Sequence, residues 1–160
     1  MKEPTFVMKQ LRRMKEGRAW HGPSLDEAVA GVTFELAERR LAPGSHSIYE
    51  LTHHVGAWTG EVLARLRGRA AQLPDEGDWP ADPPTPERWD AAKTRLDETH
   101  AALLREIGTL DEARLAERVA SSDDPALGGG TTVLGMLHGL VQHDAYHVGQ
   151  IILIRRALGG

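Results

Sequence analysis

Eight histidines stand in a chain of 160 residues that contains no cysteine. Disulfides, thiolate metal sites and cysteine nucleophiles are therefore excluded, and imidazole is the strongest metal-binding group left. Toward the C-terminus, Met136, Leu140, His143, His147, Ile151, Ile154 and Leu158 follow one another at spacings of 4, 3, 4, 4, 3 and 4. On a helix advancing ~100° per residue they share one stripe. Two histidines thus stand where a core seam would carry Leu or Ile. A neutral imidazole is costly to bury unless its nitrogens find partners. Spacing i, i+4 puts both rings on one face, close enough to grip one ion. A hydrogen-bonded pair of core histidines fits the same spacing.

A third histidine shifts the balance toward metal. The segment from Ser47 to Gly68 has an apolar stripe of Ile48, Leu51, Val55, Trp58, Val62 and Leu66, with His54 at its edge. Packing the two helices together gives a three-nitrogen site of His54, His143 and His147. Three protein ligands leave positions for water or substrate, the pattern of catalytic zinc sites. Glu50 lies one turn before His54 and Glu61 two turns after it, so either could act as an acid or base; either also reads as a solvated carboxylate at a helix edge. His100 faces the core on a stripe with Trp89, Leu96, Leu103 and Ile107, as a packed histidine or as a proton carrier. Asp144 could orient a ligand imidazole, or be an exposed helix carboxylate. Gln150, one turn past His147, falls on the ligand side. His53 is peripheral, His138 reads as a packing or interface residue, and His21 and His46 lie near turns. The four tryptophans, Trp20, Trp58, Trp79 and Trp89, read as core or interface material.

The elements that must position these residues are helical. Residues 3 to 16 form an amphipathic piece ended by Gly17. Ser24 with Glu27, and Ser47 with Glu50, are capping boxes, in which the serine side chain and the glutamate three residues on satisfy each other's backbone donors. Short helices are expected at Leu25 to Ala30 and Thr33 to Arg40, and long ones from Ser47 to Gly68, from Thr85 to Leu110 and from Thr131 or Thr132 to Leu158. Glu112 to Val119 adds a turn or two, and Ser121 to Gly130 is a loop. The Pro-, Asp- and Gly-rich stretch 71–87 is long enough to cross a bundle. The expectation is one all-α domain over residues 1–160, a four-helix bundle with one crossover.

Bulk properties narrow the partners. With 19 basic and 23 acidic residues the formal charge is -4. No basic footprint for nucleic acid is present, and no polybasic cluster suggests a membrane surface. The longest strongly apolar run near the end, Ile151 to Ile154, is far short of the ~20 residues a membrane span needs. The N-terminal residues lack the apolar region of a secretory signal. A soluble, cytoplasmic protein is expected.

Three segments together look familiar: His21-Gly22-Pro23-Ser24-Leu25, Pro43 to Trp58 (PGSHSIYELTHHVGAW) and His138 to Ile151 (HGLVQHDAYHVGQI). The sequence resembles the DinB-like superfamily of metal-binding four-helix bundles, which includes bacterial thiol S-transferases. The resemblance implies an up-down-down-up bundle whose crossover joins the second and third helices. It also implies frequent homodimers and metal histidines at His54, His143 and His147. It favours zinc or nickel; three imidazoles would also suit iron or copper, and manganese remains open. The preferred expectation is a metal-dependent enzyme acting on a small-molecule thiol or electrophile. Glu61, Glu50 and His100 would be its acid/base candidates. A metal-dependent hydrolase and a non-enzymatic, metal-stabilised bundle are the alternatives.

Overall fold

The computed structural model describes residues 3–120, 127 and 129–159, and these are all-helical apart from turns, loops and isolated bridges. The helices run α1 (Glu3–Glu16), α2 (Leu25–Val29), α3 (Phe34–Ala37), α4 (Ile48–Leu66), α5 (Pro86–Ile107), α6 (Glu112–Ala116) and α7 (Val133–Ala157). Among them no helix is long and apolar enough to cross a membrane. The loop expected from Ser121 to Gly130 falls mostly outside the described residues.

Local chemistry sets the starts. Ser24 and Ser47 each accept from the backbone N–H three residues on, while Glu27 and Glu50 accept from the serine N–H groups at 2.7 and 2.8 Å. Thr85 caps α5, with Pro86 in its first turn where no N–H is required. Thr132 caps α7. The ends come earlier than periodicity suggests: α3 stops at Ala37, α4 at Leu66 and α5 at Ile107. Helix ends fray, and an apolar stripe continuing past the last turn does not hold the backbone helical.

The four long helices pack pairwise, α4 against α5 and α7, and α1 against α5 and α7. Two apolar clusters fill the interior. One joins α2, α4 and α5 to the C-terminal half of α7 through Leu25, Leu51, Val55, Leu96 and Ile151. The other joins α1, α4 and α5 to its N-terminal half through Leu11, Leu66, Leu103 and Leu137. Contacts between α4 and α5 advance in the same direction along both. Tyr49 shares a cavity wall with Arg88, Gly56 lies under Leu96, and Arg67 donates to Glu106. A Cβ on Gly56 would sit 3.4 Å from the Leu96 Cα, so glycine there permits the close approach. Between α4 and α7 the direction reverses: Leu51 shares a cavity wall with Ile154, and His54 meets His143. The long connection 67–85 therefore lies where it can fold back onto α4.

Burial decides between alternatives at two residues. The buried side of α7 passes through Asp144 (2% exposed) while His143 sits at its edge, because the seam drifts around a straight helix. Trp20 is not a core residue: it projects fully into solvent from the turn after α1.

Candidate metal centre

His54 is carried by α4, and His143 and His147 by consecutive turns of α7. The antiparallel packing of the two helices brings one nitrogen from each of the three rings within 4.8 Å of the others. Among the described residues no other group of three His, Asp or Glu side chains converges this way. Nε2 of His54 lies 2.9 Å from Nε2 of His143.

The other nitrogen of each ring is engaged behind it. His54 Nδ1 lies 2.9 Å from the carbonyl oxygen of Asp78 and 3.0 Å from its carboxylate. His143 Nδ1 lies 3.2 Å from Asp144 Oδ1, and His147 Nδ1 2.7 Å from Gln150 Oε1. A carbonyl oxygen can only accept, so the Asp78 contact fixes the proton of His54 on Nδ1. The same assignment satisfies Asp144 and Gln150. All three rings then turn an unprotonated Nε2 inward, the tautomer a metal ligand needs.

Burial reinforces this neutral state. It pushes His147 down to about 4, against the pull of Gln150 and with help from the neighbouring imidazoles, and it lowers His54 as well. Burial also raises the Asp144 carboxyl, partly offset by the hydrogen bond from His143. The carboxylate read from sequence as exposed or orienting is buried and touches a candidate ligand.

Connection 67–85 completes the surroundings and supplies residues the sequence pattern did not single out. Asp78 accepts from Trp58 Nε1–H at 2.7 Å while it holds His54. Next to it, the Trp79 ring stacks on His54 with centroids 4.1 Å apart, and His46 stacks on the far face of Trp79 at 3.5 Å. Tyr146 meets His147 edge-on. No period runs through residues 71–87, so nothing in the sequence distinguished Asp78 from the other loop carboxylates.

The acid/base candidates lie in other networks. Glu50 spends its carboxylate on the Ser47 N–H and on Arg40. Glu61, with no side-chain exposure, accepts from Arg65 Nε at 2.8 Å, from Arg69 and from the Gln72 N–H at 3.1 Å. His100 donates from Nε2 to the Leu11 carbonyl at 3.2 Å and faces a cavity between α1 and α5. His53 lines a separate cavity, and His138 lies near Glu3 at the surface.

Comparison with known families shows which family the chain belongs to. A model described as the DinB superfamily matches residues 19–151, which include all three converging histidines and the connection that carries Asp78. The chain belongs to the DinB superfamily. Members of the DinB superfamily bind metal in general, and the three histidines of this DinB chain could hold one. A curated relative, the bifunctional glutamine synthetase adenylyltransferase/adenylyl-removing enzyme of Mycolicibacterium smegmatis, is 35% identical over 91 residues. That stretch covers 56% of the DinB chain and 9% of the relative. The matched stretch thus spans about a tenth of that relative's length.

Proposed function

We propose that the chain is a metal-dependent enzyme that holds one divalent ion through Nε2 of His54, His143 and His147. The carrying observation is the 2.9 Å separation of the His54 and His143 Nε2 atoms. With both Nδ1 atoms protonated against oxygen acceptors, two lone pairs face each other at hydrogen-bond distance. Two acceptors at that distance repel unless a cation lies between them. A third ring directs its own lone pair to the same place. Zinc or nickel suits three imidazole nitrogens with open positions.

When bound, the ion supplies Lewis acidity and lowers the pKa of a water or thiol at the site. The chain's own residues do the rest. Asp78, Asp144 and Gln150 fix the ring tautomers and orientations. Trp79 covers one face of His54, and Trp58 and Tyr146 flank the other rings. The carboxylates expected to move protons are consumed elsewhere, so the chemistry we favour needs little protein acid/base help. Transfer of a low-molecular-weight thiol to an electrophile meets that condition, since a thiol activated at the site is itself the nucleophile.

The same reading takes the architecture as an up-down-down-up four-helix bundle of α1, α4, α5 and α7, with 67–85 as the crossover. The like-directed contacts of α4 with α5 and the reversed ones of α4 with α7 support it.

Cobalt substitution tests the function. Titrating cobalt-loaded protein with cellular thiols should bring up a sulfur-to-metal charge-transfer band in the near ultraviolet, and thiol consumption with an electrophile should depend on the metal. A cobalt spectrum indifferent to every thiol would remove the transfer reaction. Metal retention with no exchangeable position would instead make the ion structural.

A further inference from the structure

Beside the histidine cluster lies a cavity of about 210 Å³ between the C-terminal half of α7 and the start of α4. Leu41, Leu51, Leu153 and Ile154 give it carbon walls, and none of its lining residues is Lys, Arg, Asp or Glu. Leu51 and Ile154 belong to the packed core, whereas Leu41 and Leu153 are 42% and 60% exposed and form the mouth. A carbon-lined cavity of ~150 Å³ is enough to take up benzene. This one has room for a ring with one or two substituents.

Two lining residues also belong to the surroundings of the cluster. His46 stacks on the Trp79 that stacks on His54. Gln150 holds the Nδ1–H of His147 on its Oε1 at 2.7 Å. That bond fixes the amide plane and leaves its NH₂ group, which has no hydrogen-bond partner among the described residues, to be satisfied from elsewhere. The cavity therefore has mostly apolar walls, with Ser45, His46 and the Gln150 amide as its polar groups and no Lys, Arg, Asp or Glu, one side chain away from a candidate ligand.

We propose that this cavity is a subsite for the apolar part of the substrate. It takes a compact neutral group of about ring size, with an acceptor oxygen placed to receive a hydrogen bond from the Gln150 amide. This rests on the metal-dependent reading above. A neutral occupant follows from walls without Lys, Arg, Asp or Glu: a buried ion without a partner there would be strongly disfavoured. The oxygen gives selectivity, because an amide donor covered by a purely hydrocarbon ligand loses its hydrogen bond to water and gains none.

The test uses acetophenone, ethylbenzene and benzoate as probes. Each is titrated into the full chain, metal-free and zinc-loaded, with methyl and side-chain amide resonances followed by NMR. Acetophenone should give saturable shifts confined to Leu41, Leu51, Leu153, Ile154 and the Gln150 NH₂. It should bind at least fivefold more tightly than ethylbenzene, and benzoate should not bind. Leu153→Asp, at an exposed position, should leave the melting temperature unchanged and weaken acetophenone at least tenfold. Gln150→Leu should abolish the preference for acetophenone over ethylbenzene. Unsaturated or scattered shifts would overturn the proposal, as would binding unaffected by Leu153→Asp. So would methyl shifts that follow protein concentration instead of probe, since a second copy would then cover the cavity. Zinc retained without acetophenone binding would sink the subsite alone. Acetophenone bound by a chain that fails to take up zinc would sink the metal reading and leave a simple binding cavity.

Discussion

Replacing Glu61 with Gln separates a chemical role from a structural one. The side chain is fully buried and accepts three hydrogen bonds, two of them from Arg65 and Arg69. Arg65, with a side chain only 4% exposed, also donates to Leu127 O at 2.8 Å and Gln72 O at 3.1 Å, so it cannot swing out to water without abandoning the loop. Glu61→Gln keeps the shape but removes the charge and turns an NH₂ toward arginine donors. Breaking a buried ion pair from one side costs about 3–5 kcal/mol. For a domain of this size each kcal/mol lowers Tm by roughly 2–4 °C. Thermal melts of the chelated protein, read by circular dichroism, should therefore show Glu61→Gln melting about 6–20 °C below the parent. Zinc affinity at 20 °C should change less than tenfold, because no atom of Glu61 reaches the three imidazoles. A variant that melts like the parent but has lost its chemistry would refute the reasoning and restore Glu61 as an acid or base.

Asp144→Asn should weaken zinc about 10–100-fold, measured by chelator competition, because a neutral amide replaces the buried carboxyl that accepts from His143 Nδ1 and makes that imidazole a weaker ligand. His100, pushed by burial to about 4 from an ordinary 6.5, makes stability fall as pH falls. The unfolded chain takes up a proton through the window from about 6.5 to 4 while the folded chain does not, which costs up to about 3 kcal/mol by pH 4. Urea titrations of the metal-free protein at pH 7 and pH 4.5 should show this loss, reduced in His100→Gln. Ser47→Ala removes the cap on the helix that carries His54 and should cost about 1 kcal/mol in the same titration.

The sequence made the three histidines legible because helix periodicity places side chains on faces. Spacing i, i+4 forces His143 and His147 together, whereas His54, at the edge of its stripe in sequence, is buried because Trp79 from the connection covers it. The starts of α2, α4, α5 and α7 were equally legible, since a cap is a local hydrogen bond among neighbours in sequence. What periodicity could not supply was the partner of each Nδ1. Asp78 reaches His54 through an aperiodic connection whose course depends on anchors such as Gln72 with Glu61 and Asp78 with Trp58. Glu61 shows the converse: its helical position is near that of His54, but its partners come from a loop, and those contacts decide what the carboxylate does. For Asp144 the sequence leaves two readings, orienting a ligand or exposed, because the stripe runs through its neighbour His143; the drift of the seam buries Asp144 and leaves His143 at the edge.

The most direct test of the central claim is isothermal titration of the chelated, dialysed protein with zinc, on the parent and on His54→Ala, His143→Ala and His147→Ala. The account predicts one zinc per chain in the parent, and affinity at least a hundredfold weaker in each single variant while the fold is retained. Undiminished zinc binding in any one of the three variants, or none in the parent, would contradict it.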